Sequence, residues 1–120
     1  MFDSSKAFSG FSVSDIEAAR HFYGEVLGIG ITEDHGMLHL RVGGGSVLVY
    51  PKPNHEPASY TMLNFPVQDI GAAVRQLADK GVRPERYEGV DDEGIFRLGG
   101  PLIAWFKDPA GNIISVLEEA

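Results

Sequence analysis

Apolar residues along the chain change spacing in a set order, and the order occurs twice. KAFSGFSV (6–13) carries aromatic and branched residues in the two-residue alternation of a strand. Helical spacing follows, with Ile16, Ala19, Phe22, Tyr23, Val26 and Leu27 on one stripe. Three strand-like runs come next, at roughly 29–34, 37–42 and 46–50, and the glycines of 43–45 read as a hairpin turn. SYTMLNFPV (59–67) then reads as a strand again, and Ile70, Ala73, Val74 and Leu77 as a helical stripe. Runs at roughly 82–88, 102–107 and 112–118 read as three more strands.

The two halves share letters as well as texture. VSDIEAA (13–19) returns as VQDIGAA (67–73) with Val, Asp, Ile, Ala and Ala in register, which points to two copies of one supersecondary unit. Asp69 is the expected cap of the second helix and Gly81 its stop. For the first helix, Ser14 with Glu17 fits a capping box while the repeat favours Asp15, and Gly28 is the expected left-handed stop. Module one is thus expected over 6–50 and module two over 59–118, joined by a proline-rich linker (51–58) inside a single domain, 1–120. In DPAGN (108–112), Pro109 presets a turn and Gly111 supplies a positive φ. GVDDEGIFRLGGP (89–101) has no counterpart in the first half and reads as an acidic, glycine-rich extra loop.

Composition narrows the function classes. A chain of 120 residues with 43% apolar and 22% charged residues is an ordinary globular domain, able to bury roughly 65% of its unfolded surface. The absence of cysteine removes disulfides, thiolate metal sites and a thiol nucleophile. The net charge of −7 without a Lys/Arg cluster argues against nucleic acid as a partner. No apolar run approaches the ~20 residues of a membrane span, and MFDSSKAFSG lacks the features of a signal peptide, so a cytoplasmic location is expected.

FSVSDIEAARHFYGEVLGI, followed by WFKDPAGNIISVLE, resembles the vicinal oxygen chelate superfamily, the group of glyoxalase I, bleomycin-resistance proteins and extradiol dioxygenases. The V-x-D-I-x-A-A…F-Y-x-x-V-L-G and D-P-x-G-N patterns carry the likeness over nearly the whole chain. It implies an α+β fold of two tandem βαβββ modules whose curled mixed sheets surround a shared concave cleft. In the metalloenzymes of the group that cleft holds a divalent ion, bound by His, Gln and Glu from the first and last strands of each module. The corresponding positions here are Phe8, Met62, Ser115 and Leu48 (or Val49 if the alignment slips by one). Such a set lacks the imidazoles and carboxylates that divalent ions take, so neither a metal nor another cofactor is expected. A glutamate at 115 would have been the catalyst's choice.

Strand alternation assigns side chains to faces. Phe11 and Val13, with Leu63, Phe65 and Val67, are expected against the helices. Phe8, Gly10, Ser12, His39, Arg41, Leu48, Tyr50, Met62, Asn64, Ile113 and Ser115 are expected toward the cleft, a mostly apolar lining suited to a small molecule. Trp105 is either a stacking face for a ligand or core, because the register through DPAGN is open. Of the histidines, His21 and His35 read as surface, His39 as a cleft wall or a functional imidazole, and His55 as a linker residue near a rim or dimer contact. A metal held by His39, His55 and a carboxylate matches no standard ligand spacing. Arg41 and Arg97 could pair an anionic group. Asp91, Asp92 and Glu93 form either a solvated loop or an acidic lip that attracts a cation.

The favoured reading is a metal-independent binding protein with no catalytic residues, resembling drug- or metabolite-sequestering members of the group. Its ligand would be cationic or aromatic, held by Phe8, Ser12, His39, Leu48, Tyr50, Met62, Asn64, Trp105 and Ser115, and the resemblance implies a homodimer. The alternative is a glyoxalase-like lyase, an isomerase or a dioxygenase with unusual ligands or metal-free acid–base chemistry, His39 serving as base with Tyr50 or Ser115 assisting. A third reading is an interaction module with a vestigial cleft.

Overall fold

In a computed structural model, which describes residues 2–119, the chain gathers into two compact units, Met1–Glu56 and Pro57–Ala120. The first holds strands β1 (Ser9–Val13), β2 (Ile31–Asp34), β3 (Met37–Val42) and β4 (Gly45–Pro51), with helix α1 (Ile16–Arg20) after β1. The second holds β5 (Thr61–Pro66), helix α2 (Ile70–Asp79), β6 (Leu102–Lys107) and β7 (Ile113–Glu118). The sheet orders are β1-β4-β3-β2 and β5-β7-β6. In each sheet the first strand runs parallel to the last, β1 to β4 and β5 to β7, and the remaining pairs are antiparallel. This is the mixed α+β architecture expected, with four strands in one sheet and three in the other.

The repeat is realised at the helix starts. The Asp15 carboxylate accepts from the Glu17 and Ala18 amides and that of Asp69 from the Ala72 amide, with nearly identical cap dihedrals (φ −137, ψ 108 and φ −137, ψ 100). Asp15, and not Ser14, is therefore the first cap. Helix α1 is α-helical over Ile16–Arg20 and widens to a π-helical segment over His21–Val26, where the Leu27 amide reaches back to the Phe22 carbonyl. Phe22 and Tyr23 of that segment are buried, and the Tyr23 ring meets Phe11 of β1 edge-on. Val13, Leu38, Leu40 and Val49 complete this core, each 0–1% exposed. In the second unit Ile70 and Val74 of α2 join Ala104, Phe106, Ile114 and Val116.

Two expectations fail in the second unit. The strand expected over 82–88 does not form: the backbone there makes a single sheet-like bond, from the Glu85 amide to the Trp105 carbonyl at 2.7 Å. Pro84, in the middle of that run, has no amide to offer a ladder. The segment 89–101 is more than a loop. It folds back through the bridges Val90–Phe96 and Phe96–Ile103 and delivers Ile95, fully buried, to the core. Gly94 makes this possible, since a Cβ there would lie 2.4 Å from Pro84 Cγ, and its φ is +86. The Gly43–Gly44 pair, both at positive φ between the partnered Val42 and Gly45, closes the expected β3–β4 hairpin.

No helix among the described residues is long and apolar enough to cross a membrane.

Candidate functional site

The site in the second unit is built from two cross-strand rows on the sheet face that carries Trp105. Register places Thr61, Ile113 and Lys107 in one row and Asn64, Ser115 and Trp105 in the next. The β5–β7 pairing shifts between Thr61 and Leu63, so three residues of β5 span two of β7. This bulge brings Thr61 into the row, which simple alternation would have assigned to Met62. Thr61 then accepts a hydrogen bond from Trp105 Nε1 at 3.0 Å. The indole is held on two further sides, its centroid lying 5.7 Å from that of Tyr87 and 5.9 Å from that of Phe96. Trp105 is thus half-buried and fixed in orientation, rather than sunk in the core.

Trp105 and Tyr87 line a depression of about 570 Å³ together with Ile113, Thr61 and Tyr60, the last of which is 68% exposed. Lys107 is the one charged side chain among the described residues lining it; its Nζ lies 3.6 Å from Glu85 Oε1. Below the turn that joins β6 to β7, the buried Asp108 carboxylate accepts from the Ala110 and Asn112 amides at 2.9 Å each and from Asn112 Nδ2 at 3.0 Å. With Gly111 at φ +83, that lock sets the register that puts Lys107 opposite Ile113.

The other residues of interest fall into separate groups. Ser115 is fully buried and donates to Asn64 Oδ1 at 2.6 Å. Met62 does not line the depression. In the first unit His39 is paired with Leu48, and Leu48 with Gly10, on one face of the sheet. Ser12 is paired with Tyr50 and its hydroxyl lies 2.6 Å from His55 Nδ1, which ties the following segment to β1. Phe8 precedes β1 and is 62% exposed, beside a shallow depression of about 400 Å³ shared with Val42 and Ser46. His21 and His35 are exposed.

The acidic run of the extra loop is turned inward on itself. Asp91 accepts from the Glu93 and Ile95 amides at 2.9 Å each and from Arg97 Nε at 2.7 Å. The Arg97 guanidinium, helped by the Ile95 amide, holds the Asp91 carboxyl below the usual carboxylate range. The acidic lip considered from sequence is a loop staple, and none of its carboxylates lines the depression.

Residues 8–116 match the family model described as the glyoxalase/bleomycin resistance protein/dioxygenase superfamily. The chain belongs to this superfamily. Among solved structures it is similar to the glyoxalase family protein from Enterococcus faecalis, at 23% identity and TM-score 0.72 over 98% of this chain and 100% of the other. TnmS3, an antibiotic binding protein from a Streptomyces species, gives 23% identity and TM-score 0.69 over 99% and 100%. The lactoylglutathione lyase from Agrobacterium tumefaciens gives 18% and 0.67 over 98% and 96%. At these identities the likeness concerns the fold. No curated protein matches the sequence.

The superfamily's divalent ion does not fit the residues present. At the corresponding positions Phe8 and Leu48 offer no donor atom, Met62 offers a soft thioether, and the Ser115 hydroxyl is committed to Asn64. Among the described residues no three His, Asp or Glu side chains gather closely enough to hold a metal, and His39 and His55 do not begin such a group.

Sequence reasoning missed Thr61, Tyr87 and Lys107 as lining residues. Lys107 was within reach, because it stands two residues from Trp105 on the same strand and so shares its face. Thr61 was not, since nothing in SYTMLNFPV announces the bulge.

Proposed function

We propose that this superfamily member is a metal-independent small-molecule-binding protein of the bleomycin-resistance kind, which sequesters a drug or metabolite as a cytoplasmic homodimer. The observation that carries this reading is the depression walled by Trp105 and Tyr87. Its volume of about 570 Å³ falls within the range of small-molecule sites, roughly 300–1,000 Å³. The indole is already held by Thr61, Tyr87 and Phe96, so a planar ligand stacks on it without the entropy cost of ordering a mobile ring. The antibiotic-binding role carried by the name of TnmS3 supports the same reading.

Trp105 is the sole tryptophan of the chain, so its emission reports on this site without interference. Titration with planar aromatic compounds, bleomycin among them, is expected to change that emission saturably for at least one compound. By calorimetry, Trp105→Ala is expected to weaken the same compound about tenfold, near 1.4 kcal/mol. Native mass spectrometry is expected to give a dimer without added metal. A stoichiometric divalent ion retained by protein from metal-supplemented cells, with no saturable emission change, would overturn the proposal in favour of a glyoxalase-like enzyme.

A further inference from the structure

The charge of the ligand is open to inference from the same depression, and this step rests on the binding reading above. From sequence the ligand is expected to be cationic or aromatic, the cationic option resting on a net charge of −7 and the acidic run at 91–93. The acidic run is not part of the depression. Asp91 is consumed by Arg97 and two backbone amides, and Glu93 lies near Arg75 and Arg97, at 3.8 and 3.9 Å. Neither lines the depression, and the remaining surface charge is screened beyond about 8 Å at physiological ionic strength. What a bound molecule meets at contact range is Lys107.

We infer that the depression selects a planar aromatic ligand carrying an anionic group, a carboxylate or phenolate, whose ring lies on Trp105 and whose charge meets Lys107 Nζ. Three observations converge on this. Lys107 sits in the row Thr61–Ile113–Lys107, directly beside the row that ends on Trp105, so ring face and ammonium belong to one surface at neighbouring ladder positions. Its partner Glu85 is 3.6 Å away, longer than a charge-assisted hydrogen bond, so the ammonium keeps donors for a second acceptor. The Trp105 N–H is already taken by Thr61, so it is not offered to an anion, and anion recognition is left to Lys107. A cation on the same ring would face the like charge of Lys107 at close range.

The test uses three probes of one shape: 2-naphthoate, 2-naphthamide and 2-naphthylmethylammonium, titrated into the full chain. The single indole N–H resonance of Trp105 serves as the readout. The naphthoate is expected to bind about fivefold or more tightly than the ammonium, with the amide between them. Lys107→Gln should erase the preference for naphthoate over the ammonium, and Lys107→Arg should keep it. Glu85→Gln, which removes the competing carboxylate, should strengthen naphthoate binding. Equal binding of all three probes, or tighter binding of the ammonium, overturns the charge assignment and leaves the binding function standing. No movement of the indole resonance by any probe at millimolar concentration overturns both.

Discussion

Ser115 lies in the middle of β7 with no exposed surface, and its hydroxyl reaches Asn64 on the neighbouring strand. At this point the chain departs most clearly from the metalloenzymes its sequence resembles. The pair is a structural cross-link: removing it in Ser115→Ala should cost about 1 kcal/mol, the net worth of one hydrogen bond. Ser115→Glu, which puts in the residue a catalyst would want, should instead destabilise by about 3 kcal/mol or more, because it places an unpaired charge at a fully buried position. Urea unfolding midpoints of the two variants check both values. The position of Ser115 was legible in the sequence, since its distance from Asp108 is set by a short turn and a regular strand. The face of Trp105 was not legible, because it depended on the pairing of Lys107 with Ile113, which the buried Asp108–Asn112 lock decides.

At the scale of elements, local signals that act within one turn of chain identified the cap of α2 and narrowed that of α1 to Ser14 or Asp15. Asp15 and Asp69 cap their helices because a carboxylate two or three residues ahead of free amides is sufficient by itself. Asp69→Ala should therefore cost about 1 kcal/mol, roughly 4 °C in Tm, measured by thermal unfolding. The α2 start has a second acceptor that no local pattern reveals: Glu118 at the end of β7 takes the Ile70 amide at 2.9 Å, across 48 residues of chain. Signals that depend on a neighbour were misread. The stripe Phe22-Tyr23-Val26-Leu27 suits an α-helix, yet packing widens it to a π-helical segment. The 82–88 run has strand composition, yet Pro84 denies it a ladder, and the edge of β6 is covered instead by Glu85 and Phe96.

For the whole molecule, charge is the property that sequence states outright. With 17 acidic side chains against 10 basic ones, copies carry like net charge at neutral pH and repel one another beyond any specific contact. That repulsion vanishes as the carboxylates are neutralised toward the isoelectric point of about 5. Light scattering across pH 7 to 4 should accordingly show a maximum of self-association near pH 5, reversible on returning to neutrality. A flat profile would mean that net charge does not govern the self-association of this chain. The sequence alone determined the duplicated order of strand, helix and strands (apart from the run at 82–88), the Asp69 cap and the turn at 108–112. Each of these follows from residue type and spacing within a few turns of chain. Tertiary structure alone decided which side chains meet at the aromatic depression. A bulge in β5 moves Thr61 into the row by one position, and one position changes the face of a sheet; a hairpin register held by a buried carboxylate places Lys107, and a loop folded over glycine brings Phe96 against Trp105.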